Sequence, residues 1–288
     1  MVLATFNSRV REAQRSPKAE GRNPKETRRP KPKDKGIRVS AFVALLASVM
    51  LVSSPFVLRG DETDAVVRAH EAFGQAKKNY EAHPEDAQVV WHFARTTFDL
   101  ADFATNKSER AALAQQGMGA CKQALAKTPD SAPLHYYLGL NEGQLARTKS
   151  LGALRLVDQM EIEFTKAIAL DALFDYAGAE RSLGLLYRDA PVLGSIGSRT
   201  KARQHLERAL QLAAQFPENR LNLVESELKW GDRKGARHEL KLLEDALPEA
   251  RTQFAGAAWA TSWADWEARL DKVKKTLGEP ARLETPRH

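Results

Sequence analysis

The pattern of apolar and polar positions divides the chain into three stretches. Residues 14–36 carry no large apolar side chain and end in RRPKPKDKG. Such a segment buries too little surface to offset the entropy of ordering, so residues 1–38 are expected to be a disordered basic tail. Val39–Leu58 follows, twenty residues without a charge, closed by Arg59, Gly60 and Asp61. As a helix it would reach about 30 Å, the thickness of a bilayer core. From Asp61 onward, apolar positions recur with a helical period, punctuated by glycine and proline. No alternating strand pattern interrupts them. The expectation is an all-α domain over 61–276, with a frayed tail at 277–288.

Within that domain one arrangement recurs: a small residue, a bulkier one four positions on, and a small one three further. Gly117/Cys121/Ala124 precedes Pro129, and Met160/Phe164/Ala167 precedes Ala172. Ala202/Leu206/Ala209 precedes Pro217, and Ala236/Leu240/Leu243 precedes Pro248. Their starts stand 43, 42 and 34 residues apart, with Met160 and Leu243 breaking the small-residue rule. The 4-then-3 spacing puts each trio on one helix face, where small side chains admit a partner helix closely. A proline five residues on, as at Pro129 and Pro248, is expected to stop the helix. The longer spacings imply extra loop residues at Arg147–Val157 and Ala190–Ser198.

These trios resemble the second helix of a tetratricopeptide (TPR) repeat. First helices resemble the family too: Trp91, Ala94, Arg95 and Phe98 stand at its W-x-x-L-G-x-x-Y positions. Leu138-Gly139 and Leu183-Gly184-Leu185-Leu186-Tyr187 fit more fully. The resemblance implies a TPR-like helix-pair solenoid. It places groove-facing side chains at His92, Thr96 and Asp99, at Tyr136, Leu140 and Gln144, and at Arg181, Leu185, Arg188 and Asp189. A groove holding Tyr136, Arg181 and Arg188 could take an acidic peptide or a small carboxylate, because guanidinium forks match carboxylates. More narrowly, Ala132–Glu244 resembles the TatT family, TPR-like periplasmic T-components associated with TRAP transporters. That resemblance implies an extracytoplasmic module with a protein partner or a small apolar ligand. The segment WHFARTTFDLA is similar to the TPR domain of the regulator of microtubule dynamics proteins.

Composition and charge alter this picture in two places. Aromatic residues make up 7% of the 288 positions, which fits helices better than a β-sandwich. The formal net charge is +7, yet residues 1–38 hold twelve Lys and Arg against four Asp and Glu. The basic excess therefore belongs to the tail, and nucleic acid is not the expected partner. A basic tail before an uncharged span points to a signal anchor with a cytoplasmic N-terminus. A long signal peptide cleaved near Ser54 is the other reading. Either places the repeat domain in the periplasm of a bacterium, tethered to the inner membrane or released from it. No Cys near the end of the span supports a lipoprotein signal.

Searching for chemistry gives little. There is no H-E-x-x-H, G-x-S-x-G or P-loop motif. His70, His83, His92, His135, His205, His238 and His288 form no i, i+4 pair. No enzyme activity, cofactor or metal is expected. Gly194-Ser195-Ile196-Gly197 reads as an inter-helix turn, since no strand precedes it as an anion loop requires. Cys121, the one cysteine, rules out an intramolecular disulfide and reads as a buried thiol. Trp259, Trp263 and Trp266 share a helical spacing and read as a cap sealing the last repeat, with an exposed contact stripe as the alternative.

Overall fold

A computed structural model describes residues 59–149 and 152–278, and among them every element is helical. In chain order these are α1 (Arg59–Ala82), α2 (Ala87–Asp102), α3 (Lys107–Leu125), α4 (Ala132–Ala146) and α5 (Ala153–Leu170). Then come α6 (Phe174–Asp189), α7 (Arg199–Leu212), α8 (Pro217–Lys229), α9 (Arg233–Gln253), a 3-10 turn (Ala257–Trp259) and α10 (Ala260–Leu277). Short polar side chains start several of them. Asp86, Asn106, Ser198 and Asp232 each accept from a backbone N–H in the first turn of the following helix. Pro217 opens α8, where a missing N–H costs nothing.

The all-α helix-pair arrangement read from the sequence is the one present. First helices α2, α4, α6, α8 and α10 neighbour one another, and α3, α5, α7 and α9 form the second layer. The second helices α3, α5 and α7 also pack on the first helix of the next pair, and α1 packs on α2. The recurring trios sit where the spacing put them. Of the twelve residues, all are buried except Met160, which is half-buried. The glycines of the first helices explain how closely the layers meet. A Cβ at Gly139 would stand 2.7 Å from the Phe164 ring, and one at Gly184 2.8 Å from Leu206 Cγ. The bulky middle residue of a second helix therefore fills the notch left by a glycine of its own first helix.

Buried apolar residues form two main clusters. One runs from Val90 to Ala202, and the other joins Ala177 to the stretch Ala209–Leu277. They meet within α6. There Asp175, Tyr176 and Ala177 take φ of 52°, 55° and 61°, three successive left-handed residues without a glycine among them. The cap reading of the tryptophans holds. Trp266 is buried, and Trp259 and Trp263 pack against the second cluster beside Tyr176, Phe216 and Phe254. Trp259 itself lies in the 3-10 turn, one residue before α10 begins, rather than on that helix.

Three boundaries differ from expectation. Pro248 lies inside α9 instead of ending it. The helix continues to Gln253 because Leu247, Ala250 and Phe254 still have the second core to enter. The extra length near residue 150 is partly helical: the connection ends at Gly152, and 153–157 already belong to α5. Leu277, placed in the frayed tail, is the last residue of α10 and is buried, with Gly278 in left-handed geometry as its cap. The Ala190–Ser198 loop is present as expected. Among the described residues no helix is long and apolar enough to cross a membrane. The basic tail, Val39–Leu58 and residues 279–288 lie outside the described residues.

The glycine notches give a direct test in denaturant unfolding. Gly184→Ala should lower stability by about 1–3 kcal/mol, because the backbone nitrogen of Leu206 also stands 3.1 Å from the new methyl. Gly119 in α3 has nothing within 4 Å of its Cβ position. Gly119→Ala should raise stability by about 0.5–1 kcal/mol.

Candidate functional site

The face presented by the first-helix layer is built on α2, α4 and α6. On α2, His92 is exposed and stacks on Trp91 with ring centroids 3.7 Å apart. Trp91 lies parallel to Tyr137 at 5.6 Å and meets Phe174 edge-on at 5.6 Å. One turn along, the Arg95 and Asp99 side chains are 51% and 47% exposed and pair at 3.6 Å. Thr96 is half-buried and donates to the Phe93 carbonyl. His92, Thr96 and Asp99 thus share one solvent-facing stripe of α2.

The groove positions of α4 lie deeper. Tyr136, Leu140 and Gln144 follow each other at four-residue steps, and all three are buried beneath neighbouring first helices. The Tyr136 hydroxyl donates to Asp175 Oδ2 at 2.9 Å. A Cβ at Gly178 would collide with that hydroxyl at 2.6 Å, so the start of α6 fits over Tyr136 only with glycine there. Burial, reinforced by Asp175, pushes the Tyr136 hydroxyl far above the ordinary tyrosine range. Gln144 sits at the other end of α4. It donates to Asp102 at 2.9 Å and accepts from Arg110 at 2.8 Å, and Arg147 donates to Asp102 at 2.7 Å.

On α6, Leu185 is half-buried and the two arginines are occupied by the chain itself. Arg181 is buried and donates to Asn219 at 3.0 Å, to the Tyr176 carbonyl at 3.3 Å and to Asp175 at 3.4 Å. Its guanidinium also lies 5.1 Å from the centroid of the Phe216 ring. Arg188 donates to Asp189 at 2.6 Å and to Ser226 at 3.1 Å, and Lys229 also pairs with Asp189. The fork that a carboxylate ligand would need is therefore already filled at both positions. The expectation that Arg181 and Arg188 grip an acidic group meets this obstacle: a newcomer would have to displace buried internal partners.

Two exposed acids of this layer, Asp99 and Asp265, have raised carboxyls although an arginine pairs with each. Desolvation pushes the Asp99 carboxyl up to about 6, against the pull of Arg95, and Asp102 and Asp175 add to the rise. Farther along, the Asp265 carboxyl is 53% exposed and also raised, by desolvation and by Glu218 and Glu225, while Arg269 opposes the shift. Arg269 donates to Glu225, to Asn222 Oδ1 and, at 3.2 Å, to Asp265 itself. Desolvation and Arg95 lower the pKa of the His92 imidazole. Among the described residues no three His, Cys, Asp or Glu side chains converge in a metal-binding arrangement. Cys121 is buried, and desolvation pushes its thiol far upward.

The sequence reading missed Asp175, Asn141, Asn219 and Asp265. Asn141 donates to the Ala94 and Tyr137 carbonyls and receives the Thr97 hydroxyl, tying α2 to α4. Asn219 donates to the carbonyls of Tyr176, Ala209 and Ala213. Asparagine within an apolar helical face, as at Leu138–Leu145, was the available signal for Asn141. Asp175 and Asp265 had none, because ordinary exposed acids look the same in sequence.

Asp99 gives a pH test. Its raised pKa means the folded chain keeps a proton that the unfolded chain has released. The associated stability is therefore lost as pH rises from about 4 through 6. The stability of Asp99→Asn relative to wild type should improve over that window in parallel thermal melts. A difference between the two that is flat from pH 4 to 7 would contradict the raised Asp99 carboxyl, whose main cause is desolvation.

Comparison with known proteins adds the following. The family model of regulator of microtubule dynamics protein 1-3 matches residues 59–177 and ends at the left-handed turn where the two cores meet. No curated protein matches the chain. Among solved structures, TTC0263, a thermophilic TPR protein from Thermus thermophilus, is 21% identical with a TM-score of 0.54. That match covers 74% of this chain and 94% of the other. Two structures of MamA are 18% and 17% identical, with TM-scores of 0.46 and 0.44. They cover 68% and 76% of this chain, and 99% and 98% of theirs. The fold of the chain is TPR-like.

Proposed function

We propose that the protein is a non-enzymatic, membrane-tethered extracytoplasmic TPR-like module. In this reading its first-helix face binds a segment of a partner protein. The observation that carries it is the Asp99 stripe: a half-exposed Arg95–Asp99 pair, its carboxylate crowded by Asp102 and Asp175, beside the exposed His92 ring stacked on Trp91. A lysine or arginine of an extended partner segment would relieve that crowding, and an aromatic shelf beside it suits the aliphatic stem. Leu185 would supply an apolar contact farther along. An acidic segment is disfavoured, because Arg181 and Arg188 already have internal partners. Tethering rests on Val39–Leu58, twenty uncharged residues behind a basic tail.

Quantitative co-purification of the full chain from its original host tests both parts. Asp99→Lys should cut recovery of the partner by about tenfold or more, since it replaces an attraction with a repulsion. Arg208→Glu, on the exposed side of α7, should leave it unchanged. Recovery should also fall with added salt. An Asp99→Lys chain that recovers its partner undiminished would remove the groove from the account. Loss of membrane association on deleting residues 39–58 supports the tether; membrane retention without them refutes it.

A further inference from the structure

On the opposite side of the first pairs, a gap opens between α3 and α5 above buried residues of α4. The gap is a cleft of roughly 400 Å³, large enough for a small organic molecule or a long side chain. Its floor is one stripe of α4: His135, Leu138 and Glu142. Leu125 of α3 and Ile162 of α5 make the walls largely apolar. Glu142 is 1% exposed, and its Oε2 has no hydrogen-bond partner among the described residues.

His135, Glu163 and Lys166, which also line the cleft, are committed to one another. Glu163 takes both His135, at 2.5 Å, and Lys166, at 3.0 Å. Lys122 Nζ stands 3.8 Å from Glu142 Oε1, beyond hydrogen-bond reach, with its side chain half in solvent. An orphaned carboxyl oxygen at the bottom of an apolar cleft costs stability that no internal contact returns. A donor arriving from outside would supply what is missing.

The geometry points to a binding site for a primary ammonium carried on an aliphatic chain, the ammonium donating to Glu142 Oε2 and the chain lying against Leu125, Leu138 and Ile162. The same chemistry is offered by a free alkylamine and by the lysine side chain of a docked segment. The site faces away from the groove, so it stands or falls independently of the groove reading. Its pH response follows from the groups that face Glu142: Lys122 and Cys121 from α3, His135 on α4, Glu163 and Lys166 from α5. Desolvation pushes the Glu142 carboxyl up to about 7, and Glu163 adds to the rise while Lys122 and Lys166 oppose it. Ammonium binding should therefore weaken as pH falls below 7 and the carboxylate takes up a proton.

Calorimetric or NMR titration of the full chain tests this with n-hexylammonium, n-hexanol and hexanoate, alongside N-acetyl-lysine methylamide. Hexylammonium should bind, and the uncharged and anionic analogues should bind at least about tenfold more weakly. If N-acetyl-lysine methylamide binds as well as hexylammonium, a lysine side chain is the favoured source. If only hexylammonium binds, a free amine is. Glu142→Gln should lose the affinity about tenfold and lose its pH dependence. Lys122→Met, at a half-exposed position, removes the cation that stands 3.8 Å from Glu142 and, measured at pH 9 where the carboxyl is ionised, should tighten binding even if Glu142→Gln folds poorly. Hexylammonium binding that is absent, matched by hexanol, or insensitive to Lys122→Met would overturn the proposal.

Discussion

The buried guanidinium of Arg181 is the contact on which most of this architecture depends. It lies at the seam between the two apolar clusters, bonded to Asp175 in its own helix and to Asn219 in α8, and set against the Phe216 ring. Three consecutive left-handed residues precede it, and each such residue costs about 1–2 kcal/mol for an L side chain. That strain persists only because the surroundings over-determine it. Arg181 and Asn219 both donate to the Tyr176 carbonyl, the Tyr136 hydroxyl donates to Asp175, and the Tyr176 ring stacks on Phe216 at 4.6 Å. With the turn held, α6 joins the first core through Ala179 and Leu183 and the second through Ala177.

The same seam shapes the face offered to a partner. The turn brings Asp175 back over α4, where it adds negative potential near Asp99 and shields Tyr136 from solvent. Arg181, Arg188 and Arg269 are drawn inward by their contacts, and the outward charges are the Arg95–Asp99 pair and Asp265. The glycine notches contribute from the other side. By letting Phe164 and Leu206 seat against Gly139 and Gly184, they bring the layers close enough for side chains of one pair to reach the next.

The second-layer helices were legible because burial there obeys a simple rule. Small and bulky residues alternate at fixed spacing, and eleven of the twelve trio positions are fully buried. The groove positions were legible as places on a helix, and the structure puts His92, Thr96 and Asp99 at the surface but Tyr136, Leu140, Gln144 and Arg181 beneath it. Spacing within one helix does not say how far its neighbours overlap it. The left-handed turn was invisible for a different reason: Asp-Tyr-Ala contains neither glycine nor asparagine, and its conformation is imposed by partners up to 43 residues away. The unbonded oxygen of Glu142 was hidden likewise, since a single acid within a helix ordinarily reads as solvated surface.

The claim that the first-helix face is the partner-binding surface can be tested by site-specific photo-crosslinking in the original host. Cys121 is buried with an unreactive thiol, so a benzophenone maleimide would label an introduced cysteine selectively. Thr96→Cys and Arg208→Cys place the probe on the first- and second-helix faces respectively. The account predicts one discrete protein adduct from position 96 and none from position 208. The same adduct from position 208 alone would contradict it.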